Sequence, residues 1–331
     1  LPKATDIFLR EMDVATERIA YRAPMKFGGR VVTDAVLLNV TVVVETRDGL
    51  AGRGHGSMPL GNAWAWPSRT VAPEQTLAAM QSFGQRLADI ARDYRGCGHP
   101  LEISRNLHES HSAISASVQQ EFQLPEPMPK LAQLVCASPL DAAIHDAYGK
   151  TLGASAYDLL GPDYVHADLG AYLGPEFRGE YLDRYTLRRP KPSMPLYHLV
   201  GALDPLTAAD LASPLGDGLP ETLIEWILAE GLTHLKIKLA GDDLGWDVER
   251  VAAVEAAAVA AGQARGQETW QYSLDFNEKC ESVSYVLEFL RRLRERSPLA
   301  YDRVQYIEQP THRDLRAHPH NRMHEAAKLK P

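Results

Sequence analysis

Three cysteines in 331 residues, Cys97, Cys136 and Cys280, are odd in number and far apart. They build no disulfide framework, so a reducing, cytoplasmic setting is expected. No run of about 18 apolar residues occurs, so no membrane-spanning helix is expected. The opening LPKATDIFLRE lacks the basic-then-apolar layout of a signal peptide. There is no long basic run and the net charge is −8, which argues against a dedicated nucleic-acid binder. No G-x-G-x-x-G stands between a strand and a helix, which argues against a nucleotide-binding doubly wound protein. What is there is ordinary for a globular chain: 45% hydrophobic and 24% charged residues, in a length suited to one large or two domains.

The first 160 or so residues read as a small antiparallel sheet followed by helices. Residues 31–57 predict a β-hairpin, with Val40, Val42 and Val44 alternating along one arm and a turn at Arg47–Gly49. A loop rich in Gly, Pro and Trp follows. A helix is expected from Pro73 to about Tyr94, and a second over SPLDAAIHDAYGKTLG, with Ser138 as N-cap, Pro139 at the first position and Gly153 at the end. After the Pro- and Arg-rich YTLRRPKPSMP the grammar becomes strand–helix alternation. Strands are expected at 196–204, 233–241, 271–279 and 304–310, and helices at 220–231, 245–262, 282–298 (stopped by Pro298) and 321–330. Such alternation signals a parallel sheet with helical crossovers.

The strand THLKIKLAG places Lys236 and Lys238 on one face and Leu235, Ile237 and Leu239 on the other. Alone, it fits a wet edge strand, where lysines discourage aggregation, as well as a functional face. The next strand carries Asp275 and Asn277, again two apart, and the last carries Glu308. In a parallel barrel these strand ends share one mouth, where active sites lie. Carboxylate oxygens suit a hard cation such as Mg²⁺, and like charge with partial burial favours a neutral lysine that can act as a base.

K-x-K, D-x-N and E-Q-P on consecutive strands resemble the enolase superfamily, in its mandelate racemase/muconate lactonizing branch. SPLDAAIHDAYGKTLGASAYDLLG (138–161) is similar to the helix that closes that family's capping domain. MKFGGR (25–30) and GHGSMPLGN (54–62) sit where its two specificity loops reach over the barrel. The resemblance covers nearly the whole chain. It implies an N-terminal α+β capping domain (1–160) followed by a (β/α)7β TIM-like barrel, of which 161–331 is about the first half. It implies abstraction of the proton α to a carboxylate, giving an enediolate held by Mg²⁺. It implies a Lys or His base working beside Mg²⁺, as in that superfamily's sites. By resemblance Lys238 is the base and Lys236 its neighbour that lowers its pKa and approaches the substrate carboxylate. Asp275 and Glu308 are metal ligands, and Asn277 contacts the substrate or stands behind the ligands. An α-proton beside a carboxylate is barely acidic, because its loss puts a second negative charge on the same group. A divalent cation and two ammonium groups offset that charge as it develops.

Two departures accompany the likeness. The family's third metal ligand and second acid/base belong on later strands, so the natural chain is expected to continue beyond Pro331. Lys238 and Asp275 are 37 positions apart, longer than the family's spacing, and GQARGQETW is expected to form a loop away from the site. Arg30 and His55, in the presumed specificity loops, and His312, four residues after Glu308, are candidate substrate contacts, with loop solvation as the alternative. His318, His320 and His324 could bind a transition metal or simply occupy a wet loop. Trp64 and Trp66 wall a pocket or anchor their loop.

The reading is a Mg²⁺-dependent lyase or isomerase: an acid-sugar dehydratase, a racemase or epimerase, or a cycloisomerase. K-x-K admits all three and E-Q-P leans toward the lactonizing and epimerase side. The alternative is a non-catalytic scaffold or small-molecule binding protein of the same fold. The expected partner is a small-molecule carboxylate, with neither nucleic acid nor membrane, and the expected assembly is a homo-oligomer.

Overall fold

The computed structural model describes residues 2–27, 30–187, 189–266 and 269–330. The chain divides into two compact units, Leu1–Ala23 with Thr33–Pro190, and Pro24–Val32 with Lys191–Pro331.

β1 (Ile7–Phe27), β2 (Arg30–Thr46) and β3 (Ala51–Pro59) form one sheet in that order, all of it in the first unit except the Pro24–Val32 segment. β2 and β3 are antiparallel, with Val40 opposite Gly56 and Glu45 opposite Ala51. Their connection turns at Gly49, whose φ of 89° suits glycine. Leu38, Val40, Val42 and Val44 are buried on one face of β2, as their alternation requires. Helices follow: α1 (Asn62–Ala65), α2 (Pro73–Asp93), α3 (Pro100–His108), α4 (His111–Glu121), α5 (Lys130–Leu152) and the single turn α6 (Gly170–Leu173).

α5 lies on β3 through three alternate glycines. A Cβ at Gly52 would meet Thr151, one at Gly54 would stand 2.2 Å from the Ala143 oxygen, and one at Gly56 would stand 2.0 Å from the Pro139 oxygen. Positions 139, 143, 147 and 151 follow one helix stripe, and 52, 54 and 56 follow one strand face. Four helix residues rise about 6 Å and two strand residues about 6.7 Å, so the two rows mesh. This explains a departure from the sequence expectation. α5 begins at Lys130, so Ser138 is no cap and Pro139 lies inside the helix. A proline there removes one backbone hydrogen bond. The buried run Ala132, Val135, Cys136, Pro139, Leu140, Ala143 packs the helix across it, since tertiary burial outweighs local propensity.

In the second unit β4 (Tyr197–Val200), α7 (Leu223–Glu230), β5 (His234–Lys238), α8 (Leu244–Arg265), β6 (Gln271–Asp275), α9 (Val283–Arg296), α10 (Pro298–Arg303) and β7 (Val304–Glu308) alternate. The strands are all parallel and lie in chain order. No strand order reverses, which sets this sheet apart from a doubly wound one. Leu235, Ile237, Tyr272 and Leu274 are buried on one face, in a cluster with Val251 and Val254 of α8 and Phe289 and Leu293 of α9. Each such side chain contributes about 1.5–3 kcal/mol.

The opposite face is concave. The two edge strands meet across it: the Tyr197 hydroxyl of β4 hydrogen-bonds Gln305 of β7, and the Tyr197 and Tyr306 rings lie 5.8 Å apart. Flat strands three spacings apart would be separated by about 14 Å, so the sheet is strongly curled. Among the described residues it has four strands and no closed barrel.

As expected, α9 stops just before Pro298, ending at Arg296 with Ser297 as its C-cap, and Pro298 then opens the separate short helix α10. Two further expectations change. The helix expected at 321–330 is a single 3-10 turn, Ala326–Lys328, with one buried residue, too little apolar surface to hold a longer helix. The first residues of GQARGQETW extend α8 to Arg265, which ends at Gly266 with φ 65°. Gln267 and Glu268 lie outside the described residues. The connection enters β6 at its N-terminal end, opposite Asp275.

Candidate functional site

The register of the curled sheet sets Lys238, Asp275 and Glu308 side by side, and Lys236 beside Ser273 one layer below. The apolar faces of β5 and β6 are committed to α8 and α9, so the alternate residues must project from the concave face. Lys236 Nζ donates to Glu308 Oε2 at 2.6 Å and stands 3.2 Å from Asp275 Oδ2. Lys238 Nζ donates to Asp275 and, at 3.1 Å, to Asn277 Oδ1. The Asn277 N–H donates to Asp275 Oδ1 at 2.8 Å. Lys238 and Asp275 are buried, whereas Lys236 and Glu308 are half-buried. Burial works against the Lys236 ammonium, but the Glu308 hydrogen bond and the Asp275 and Glu308 charges outweigh it and raise its pKa.

The segments that carry these groups are fixed from behind. The Asp247 carboxylate, fully buried at the start of α8, accepts from Ala240 N–H at 2.6 Å, Gly241 N–H at 3.0 Å and the Tyr285 hydroxyl at 2.7 Å. Burial nevertheless pushes its pKa up. Asp247 thus sets the turn that follows Lys238. The loops after β6 and β7 hold each other through Glu278 N–H to the Gln309 oxygen and Cys280 N–H to the Pro310 oxygen, both 2.9 Å. Arg313 adds an ion pair to Glu278 at 2.7 Å. Asn277, Glu278 and Gln309 all have positive φ (50°, 65° and 36°). Three non-glycine residues in that region, beside the polar cluster, mark a backbone held in place by its surroundings, a feature common at functional sites.

A cleft of 310 Å³ opens beside the cluster. Lys238 and Asn277 line it, with Trp246, Asp242, Lys279 and, from the Pro24–Val32 segment, Lys26. Sequence reasoning singled out Arg30 in that segment and missed Lys26, Lys279 and Trp246. A cationic loop residue on its own carries no signal of where it points. Arg30 opens β2 and is half-buried. His55 lies in the first unit on β3, exposed, with Nδ1 2.9 Å from the Thr41 hydroxyl and its N–H donating to Asp146. His312 is exposed. Its Nδ1 accepts from Asp314 N–H, and its ring lies 4.5 Å from that of His318, so it braces its own loop. Trp66 anchors its loop, being buried and donating to Glu126 at 2.7 Å.

Asp275 and Glu308 bring hard oxygen donors to a single cationic point, the Lys236 ammonium. No group of three or more His, Cys, Asp or Glu suited to a metal occurs among the described residues, the histidines of the last loop included. Two carboxylates accord with Mg²⁺, which commonly takes one or two from protein and completes its shell with water and substrate. The donor set therefore fits the ion.

No family model and no curated protein matches the chain. Solved structures do. A dipeptide epimerase from Cytophaga hutchinsonii, complexed with Mg and the dipeptide D-Ala-L-Val, superposes with a TM-score of 0.58 at 16% identity, over 98% of this chain and 64% of that one. An enolase from Bradyrhizobium complexed with magnesium and mandelic acid gives 0.53 at 16% identity, over 93% and 63%. A muconate lactonizing enzyme from Pseudomonas fluorescens complexed with muconolactone gives 0.52 at 17% identity, over 98% and 64%. The chain thus has a mixed α/β fold with a parallel sheet, shared with enolase-superfamily structures. It spans a little under two thirds of their length. No helix among the described residues is long and apolar enough to cross a membrane.

Proposed function

We propose that this chain is an enolase-superfamily lyase or isomerase of the mandelate racemase/muconate lactonizing branch. In this reading residues 1–160 are the capping domain and 161–331 about the first half of a (β/α)7β barrel. The reaction begins with removal of the proton α to a carboxylate. One observation carries the reading: two lysines, two carboxylates and an amide meet at the C-terminal ends of three adjacent parallel strands.

Asp275 and Glu308 would hold Mg²⁺, which when bound supplies positive charge against the charge developing on the substrate carboxylate. Lys236, held charged between the same two acids, faces that carboxylate and adds to this stabilisation. Lys238 Nζ takes the α-proton, and Asn277 Oδ1 and Asp275 orient it. Asp247 and the paired loops after β6 and β7 keep these groups in register, which matters because a misplacement of about 1 Å can cost on the order of 100-fold. Epimerisation, dehydration and cycloisomerisation all share this first step, and the likeness to a dipeptide epimerase and a muconate lactonizing enzyme favours epimerase and lactonizing chemistry. The test is solvent-deuterium incorporation at the α-carbon across a panel of hydroxy acids, N-acyl amino acids and dipeptides. Exchange that stops on chelation and returns with Mg²⁺ supports the proposal. Its absence across the panel, with Mg²⁺ bound, counts against it.

A further inference from the structure

The cleft holds charges that the reaction does not use. Lys26 and Lys279 both line it, and neither ammonium group makes a hydrogen bond or ion pair with another described residue. Every other lysine of the cluster is engaged: Lys236 with Glu308 and Asp275, Lys238 with Asp275 and Asn277. Asp242 and Asp243 also line the cleft, Asp243 accepting from Trp246 N–H at 3.0 Å as the cap of α8, but among the described residues neither carboxylate is ion-paired with Lys26 or Lys279. The cleft therefore holds two ammonium groups with no side-chain partner, brought there by two separate segments, the end of β1 and the loop after β6. Trp246 supplies an apolar wall in the same cleft.

We propose that the cleft accepts a substrate with a second anionic group, a carboxylate or a phosphate, bound by Lys26 and Lys279, while the reacting carboxylate faces Lys236 and Lys238. This rests on reading the cleft as the substrate site. Two ammonium groups from different segments enclose a compact anion better than either does alone, and the two carboxylates of the same cleft, Asp242 and Asp243, repel it elsewhere, so the substrate is held in one direction. The Trp246 indole covers the carbon chain between the two anionic ends. A cleft of 310 Å³ is small, at the low end of the range for ligand pockets, which favours a short diacid or phosphorylated acid over a long one.

Binding, measured by NMR titration with Mg²⁺ present, tests this separately from catalysis. The probes are glutarate and 3-phosphonopropionate, each with two anionic groups, and butyrate, with one. The expected result is binding of at least one dianion about tenfold or more tighter than butyrate, with the tighter of the two identifying the second group as carboxylate or phosphonate. In the Lys26→Met/Lys279→Met double variant the preference should vanish while butyrate binding stays within about twofold. Each single variant should lose part of it. Equal affinities in the unaltered protein, no binding of either dianion, or a preference that survives in the folded double variant would each overturn the proposal. A dianion preference in a protein that exchanges no α-proton would sink the catalytic reading and leave this one standing. Exchange confined to monoanions would do the reverse.

Discussion

Lys236 stands between two acids from neighbouring strands, 2.6 Å from Glu308 Oε2 and 3.2 Å from Asp275 Oδ2. With its pKa raised, it stays charged across the neutral range and serves as a fixed positive charge. In the proposed reaction proton transfer then falls to Lys238, whose ammonium leans the other way, onto Asp275 and Asn277. The pair divides the labour by geometry.

Asp275 and Glu308 should differ sharply in what they hold together. Asp275 is buried and partners both lysines, whereas the Glu308 side chain is 37% exposed. Asp275→Ala leaves the buried Lys238 with one fewer counter-charge and should cost about 3 kcal/mol. Glu308→Ala should cost at most about 1 kcal/mol. Adding Lys238→Met to Asp275→Ala should recover part of the loss, because the two residues couple. Urea unfolding of the four proteins decides this, and equal costs for the two single variants would show that the buried pair contributes little.

Gly54 tests the meshing of β3 with α5. A methyl group there would stand 2.2 Å from the Ala143 oxygen and the Ala147 nitrogen. Gly54→Ala should destabilise the first unit by about 3 kcal/mol, at the upper end for overpacking, since backbone cannot step aside as a side chain can. Gly49→Ala, with open space around its Cβ but φ at 89°, should cost less, roughly 1 kcal/mol of backbone strain. Thermal midpoints of the two variants give the order, and a harmless Gly54→Ala would contradict the packing described.

His99 makes the first unit sensitive to acid. Burial, then the nearby His145, lowers its pKa from about 6.5 to about 3. Its Nδ1 accepts from Leu101 N–H at 3.1 Å, capping α3, and its Nε2 lies 2.9 Å from the Leu159 oxygen, to which it donates. Protonating Nδ1 destroys the cap. The folded state binds fewer protons than the unfolded state between about pH 6.5 and 3, so stability falls as pH drops through that window. The slope approaches about 1.4 kcal/mol per pH unit in its middle. His111, lowered to about 4 by burial, adds in the same sense. His99→Gln should be less stable at pH 7 yet show a shallower decline toward pH 4. A parallel decline would remove His99 as the cause.

Asp247 should act on the site without touching substrate. Its three donors fix the turn after β5. Asp247→Ala leaves the buried Gly241 N–H and the half-buried Ala240 N–H without acceptors and should cost about 2–4 kcal/mol. Asp247→Asn keeps one oxygen and should fall between. Any α-proton exchange should drop chiefly in kcat, with KM little changed, because the turn governs where Lys238 points rather than how the cleft binds. A change confined to KM would assign Asp247 to binding.

The clustering of the candidate site residues was more legible in the sequence than their surroundings. Lys236, Lys238, Asp275 and Glu308 stand out because strand alternation fixes which residues share a face, and because an apolar partner face commits the other side to the core. The C-terminal end of α7 was equally readable, at Gly231 in the left-handed conformation, whereas its start falls at Leu223 rather than 220 because Thr222 and Glu225 cap each other there. β1 was not foreseen, because much of its length is exposed on both faces and carries no period-two apolar pattern. The start of α5 was misplaced because a proline that packs against Gly56 looks, in sequence, like a proline that opens a helix. Lys26 and Lys279 were invisible, since their proximity depends on where a hairpin tip and a distant loop come to rest.

Lys238 as the base is the central assignment of the proposed reaction. The direct test is α-deuterium incorporation from D2O into a substrate found by the panel, comparing the unaltered protein with Lys238→Ala at matched fold and Mg²⁺ affinity. The expected result is a loss of about 100-fold to 10,000-fold in exchange rate, with substrate still bound. Exchange that continues undiminished in Lys238→Ala would contradict the assignment and the proposed function built on it.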